Sequence, residues 1–115
     1  MESKTQYMTP DMKRRYSTLE KESEEMTRLI AETLADLRIV HANISAIRAY
    51  GRASAVAFRR APSLGESYEL ALEYLDGELH EKGKAVTELY RRYDEIEERK
   101  LDIVLESIDA KNKGK

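Results

Sequence analysis

The chain has 115 residues, 37% of them charged, with 20 basic and 22 acidic side chains, a formal net charge of -2 and no cysteine. So even a balance implies no polyanionic or polycationic partner for the chain as a whole, and the lack of thiols excludes disulfides, thiolate nucleophiles and cysteine-ligated metals. Met1 to Pro10 is polar, and no run approaches the roughly 20 apolar residues of a membrane span, so the expectation is a cytoplasmic protein with no membrane span.

Trp is absent and Phe occurs once, while Glu, Lys, Arg, Leu and Ala are prominent, a composition typical of long solvated helices. The predicted fold class is all-α: a long antiparallel, coiled-coil-like helical hairpin that pairs into a dimeric four-helix bundle. A single hairpin domain is expected over 10–110, with helices over 10–50 and 64–110 and a tip over 51–63. A disordered arm over 1–9 and a disordered basic tail over 111–115 complete the chain.

Thr9-Pro10-Asp11 announces the first helix with a hydroxyl cap, a proline whose missing N–H costs nothing there, and an acid in the first turn. From Met12 the seam runs through Tyr16, Leu19, Ser23, Met26, Ile30, Thr33, Leu37, Val40, Ile44 and Ile47, in alternating steps of four and three. Gly51 reads as the C-terminal cap. The helix so bounded is about 40 residues and about 60 Å long.

In the second helix, Ser63 and Glu66 fit a capping box after Pro62. The seam reads Tyr68, Leu72, Leu75, Leu79, Lys82, Val86, Leu89, Tyr93 and Ile96, then slips to Glu97, Leu101, Val104 and Ile108, as a stutter would. Gly77 and Gly83 each weaken the helix by about 1 kcal/mol relative to Ala. A break there would give the alternative, a three-helix bundle.

Antiparallel folding sets Ile47 near Leu72, Val40 near Leu79, Thr33 near Val86, Met26 near Tyr93 and Leu19 near Leu101. Ile30, Leu34, Leu37, Val40 and Ile44 of the first helix, with Leu75, Leu79, Val86 and Tyr93 of the second, are expected to line the helix or dimer seam. Ser23, Thr33, Lys82 and Glu97 are polar positions in it, either fixing register or lying near its surface. Leu29, Leu34, Ile39, Leu70, Tyr74, Tyr90 and Leu105 widen the apolar faces beyond what one helix covers, which points to a homodimer.

Between Asp36 and Glu66 there is no acidic residue and no lysine; Arg38, His41, Arg48, Arg52, Arg59 and Arg60 are the basic side chains of that stretch. The structural reading is that the arginines complement a helix dipole and Phe58 plugs the bundle end. The functional reading is a docking tip of Arg48, Arg52, Phe58, Arg59 and Arg60, with Arg38 and His41 as further anion contacts, since guanidinium groups grip carboxylates and phosphates in forked geometry.

Neither His41 nor His80 has the Glu three residues before it that a di-iron bundle needs, and His80-Glu81 is not followed by a second histidine. With no phosphate loop or nucleophile elbow either, the expectation is no enzyme, no metal and no cofactor. The functional expectation is a coiled-coil adaptor, scaffold or chaperone-like assembly factor with a protein partner. The alternative is a small nucleic-acid-binding regulator using the Arg38 to Arg60 surface.

Overall fold

The computed structural model describes residues 8–113, and among them the chain forms three helices: α1 (Pro10–Ala53), α2 (Ala55–Arg60) and α3 (Pro62–Lys113). At the start of α1 the Thr9 hydroxyl accepts a hydrogen bond from the Met12 amide at 3.1 Å, as its position before Pro10 predicts. The chain divides into two compact units, residues up to Ile30 with those from Glu88 onward, and Ala31–Thr87.

In the first unit the two long helices run antiparallel, tied by an Arg15–Glu106 ion pair at 3.0 Å and by the Ser23 hydroxyl donating to Glu97 at 2.6 Å. Met8, Tyr16 and Ile103 form its buried centre, with Met12, Leu19 and Val104 packed around them. Met8 falls in the arm predicted to be disordered, yet it is buried in this cluster; residues 1–7 of that arm lie outside the described residues. Ser23 and Glu97 settle the polar seam positions of this unit as a bonded pair.

The predicted stutter takes a different course. After Ile96 the buried or half-buried positions are Glu97, Lys100, Ile103, Val104, Ser107 and Lys111; Ile96, Lys100, Ile103 and Ser107 keep the alternation of four and three, Glu97 and Val104 of the predicted continuation are half-buried beside it, and Leu101 and Ile108 are exposed. Hydrophobicity alone misplaces the seam because Lys100 and Ser107 enter it by other means. The Lys100 stem lies along the seam while its ammonium sits 5.5 Å from the centre of the Tyr16 ring and 3.2 Å from Glu97. Burial works against that ammonium, but the Glu97 bond and neighbouring charge outweigh it and hold its pKa above the ordinary lysine value. Ser107 returns its hydroxyl to the Val104 carbonyl at 2.7 Å and so hides its polarity within its own helix.

The second unit is also an antiparallel pair, with Val40, Ile44 and Val86 buried and Leu37, Leu75 and Leu79 half-buried. Lys82 reaches Asp36 at 4.0 Å and Arg48 reaches Asp76 at 3.9 Å. These pairs fall in the register that sets Val40 near Leu79 and Ile47 near Leu72.

Helix boundaries differ from expectation in three places. First, α1 continues through Gly51 to Ala53, and no described residue has positive φ, so Gly51 is not a cap. A Cβ there would lie 2.3 Å from Cζ of Tyr68, which makes it the point where a ring packs against bare backbone. Second, the tip holds the short α2, and α3 begins at Pro62, leaving Ser63 inside its first turn rather than capping it. Third, α3 extends through Lys113, so Lys111 to Lys113 are helical where a disordered tail is predicted; Gly114 and Lys115 are outside the described residues.

Gly77 and Gly83 do not interrupt α3. A Cβ at Gly77 would meet nothing within 4 Å, so Gly77→Ala gains helix propensity without a clash. Thermal unfolding of this variant is expected to show stabilisation of about 0.5–1 kcal/mol. A lower melting temperature than the parent chain would contradict it.

Candidate functional site

The acid-free segment spans the end of α1, all of α2 and the first turn of α3, within the second unit. Its centre is a trio of aromatic rings. Phe58 meets Tyr50 edge-on at 6.0 Å and Tyr68 at 5.2 Å, and the Phe58 side chain would lie 3.5 Å from a Cβ at Gly65. The one phenylalanine is therefore half-buried as a wedge between the helix ends, held by ring contacts of ordinary geometry.

Beside the wedge is a shallow groove of about 270 Å³ lined by Ile47, Tyr50, Phe58, Leu64, Ser67, Tyr68 and Ala71. Tyr50 and Leu64 are exposed at its edge. Sequence reasoning names Phe58 alone from this lining as a docking residue, and Ile47 and Tyr68 only as seam positions. Tyr50 and Leu64 lie on either side of the Arg52 to Arg60 stretch, a signal readable only once the chain is folded back on itself.

Arg52, Arg59 and Arg60 are exposed, and among the described residues none of them has a carboxylate within salt-bridge distance. Arg48 is the exception, since it faces Asp76. Arg38 and His41 are also exposed. Along α1, Arg38, His41, Arg48 and Arg52 recur at steps of three, seven and four residues, which sets all four on one flank of the helix.

The seam residues are distributed as follows. Ile30, Val40, Ile44 and Val86 are buried, and Leu37, Leu75, Leu79 and Tyr93 are half-buried; Leu34, 40% exposed, stands off the intrachain seam. Ile39, Leu70, Tyr74, Tyr90 and Leu105 are exposed as well.

Elsewhere some charged side chains are engaged in solvated pairs along a helix, as with Glu25 and Arg28 or Arg91 between Glu88 and Glu95. The Arg28 and Arg91 bonds hold the Glu25 and Glu88 carboxyls below the usual glutamate range. Among the described residues no three metal-ligating side chains converge, and no helix is long and apolar enough to cross a membrane. No family model, curated protein or solved structure matches the chain.

Proposed function

We propose that the chain is a non-enzymatic helical docking protein, an adaptor, scaffold or chaperone-like assembly factor, that receives a protein partner at its arginine-rich tip and acts as a homodimer. The observation that carries this reading is the pairing of three exposed arginines that lack a carboxylate, Arg52, Arg59 and Arg60, with an apolar groove edged by Tyr50, Phe58 and Leu64. An apolar groove whose lining residues Tyr50, Phe58 and Leu64 are interspersed in the chain with Arg52, Arg59 and Arg60 suits a segment that carries carboxylates on either side of a large apolar residue.

A nucleic-acid reading draws on the aligned flank of Arg38, His41, Arg48 and Arg52, which could track a phosphate backbone. The balanced charge of the whole chain weighs against it.

Selection from a random peptide display library tests the docking reading. Enriched peptides are expected to combine Asp or Glu with Leu or Phe, and their binding should fall at least tenfold in an Arg52→Glu, Arg59→Glu, Arg60→Glu variant, the loss of about 1.4 kcal/mol or more that several charge-assisted bonds imply. A library that yields no such motif, together with DNA or RNA binding that weakens steeply with salt, would favour the second reading instead.

A further inference from the structure

Between Gly51 and Pro62 the chain holds only Arg, Ala, Ser, Val and Phe, with no Gly, Pro, Asn or Asp to interrupt a helix. By propensity alone α1 would run on. At the first junction it nearly does: the Ser54 amide donates to the Tyr50 carbonyl at 2.9 Å and the Phe58 amide to the Ser54 carbonyl at 3.0 Å, both of α-helical spacing. The second junction is different. Ala61, at φ -131° and ψ 81°, has left the helical region, and it precedes Pro62, whose ring disfavours a helical conformation there and which has no amide to offer the Phe58 carbonyl. No described residue has positive φ, so no left-handed turn helps to end α2.

We propose that Pro62 decides which α3 fills the seam of α1: it keeps the chain closed on itself, and without it α2 and α3 merge and the chain exchanges α3 with a second copy. The occupant follows from the seam itself. Val40 and Ile44 of α1 are buried on an α3 that buries Val86, and the α3 of a second copy offers the same residues in the same register. Exchange therefore rebuilds each layer of the second unit, including the pairs of Asp36 with Lys82 and Arg48 with Asp76. What it gives up lies at the tip, where Phe58 packs on Tyr68 at 5.2 Å. The inference concerns pairing across the seam and is independent of the homodimer reading.

A flexible link of this length would hold the two helices at an effective concentration on the order of millimolar, and a tip set to bend raises that figure. Proline inside a helix is disfavoured against alanine by roughly a hundredfold. Alanine at 62 thus lowers the concentration at which exchange sets in by up to that factor, reduced by the Phe58 contact that resists opening.

Crosslinking provides the test. The chain has no cysteine, and Asp36 faces Lys82 at 4.0 Å, so Asp36→Cys with Lys82→Cys can be joined by a short bis-maleimide without background. A closed hairpin gives an internal link and runs as a monomer on a denaturing gel, whereas an exchanged pair gives a covalent dimer. The doubly substituted chain is expected to link internally from low micromolar to near-millimolar concentration, and the same chain with Pro62→Ala to pass to covalent dimers within that range. Pro62 is exposed, so its replacement removes no core packing, and far-UV circular dichroism should show helix kept or gained. Adding Ala61→Gly, which restores a poor helix former at the junction, should return the internal link. Internal links throughout for Pro62→Ala, or a loss of helix on that substitution, overturn the proposal. So do covalent dimers from the proline-bearing chain at low micromolar concentration, and covalent dimers that persist with Ala61→Gly overturn the backbone cause assigned to Pro62.

Discussion

Ile103→Ala is expected to lower stability by about 2–5 kcal/mol, whereas Leu101→Ala, two residues away on the same helix, should change it by no more than about 0.5 kcal/mol. Ile103 is 4% exposed and sits in the cluster of Met8, Tyr16, Met12, Leu19 and Val104. Losing its branched side chain removes apolar contact and leaves a gap that two straight helices close only partly, because their separation is set by neighbouring layers. Leu101 faces outward and has little intrachain contact to lose. Urea denaturation of both variants, at concentrations where the chain is monomeric, measures the contrast. Equal effects, or a larger one at Leu101, would return the seam to the stuttered course that hydrophobicity predicts.

Gly51→Ala is expected to destabilise the chain by about 1–3 kcal/mol, although alanine is the better helix former by about 1 kcal/mol. The added methyl would fall 2.3 to 2.5 Å from Cζ, Oη and Cε2 of Tyr68. That ring cannot simply swing away, because Phe58 packs on it at 5.2 Å and Tyr50 packs on Phe58 in turn. The double variant with Tyr68→Ala separates the two effects: once the ring is gone, alanine at 51 should become stabilising, as it is expected to be at the open position Gly77. A destabilising effect that persists without the ring would place the cause in the backbone of α1 rather than in this contact.

What the sequence makes legible is what the heptad pattern carries. Every seam position of α1 from Met12 to Ile47 is buried or half-buried, including Ser23 and Thr33, because a strict alternation of four and three leaves one possible face for the core. The pattern misleads where a side chain's chemistry and its placement diverge. Lys100 enters the seam on its aliphatic stem and Ser107 by bonding its own backbone, while Leu101 and Ile108, more apolar than either, turn outward. Local composition cannot report a contact made across helices, so Gly51 reads as a helix end when it is a notch for a ring. The arginine-rich tip is visible as an acid-free interval, but the groove beside it is assembled from residues on both sides of the turn, and only folding joins Tyr50 to Leu64.

The turn itself has a consequence for how anything could be recognised there. Ser54, Phe58, Ala61 and Leu64 donate their amides in succession to Tyr50, Ser54, Ala57 and Ala61, at 2.9 to 3.0 Å, so the backbone stays internally bonded from α1 through α2 into α3 although Ala61, at φ -131° and ψ 81°, leaves the helical conformation. A visiting chain finds no extended edge to pair with and cannot gain affinity by adding a strand, the sequence-tolerant route open to many peptide-binding domains. Recognition at this end must be made by side chains alone, so selectivity there would rest on a few arginines and rings and be unusually easy to redirect by exchanging them.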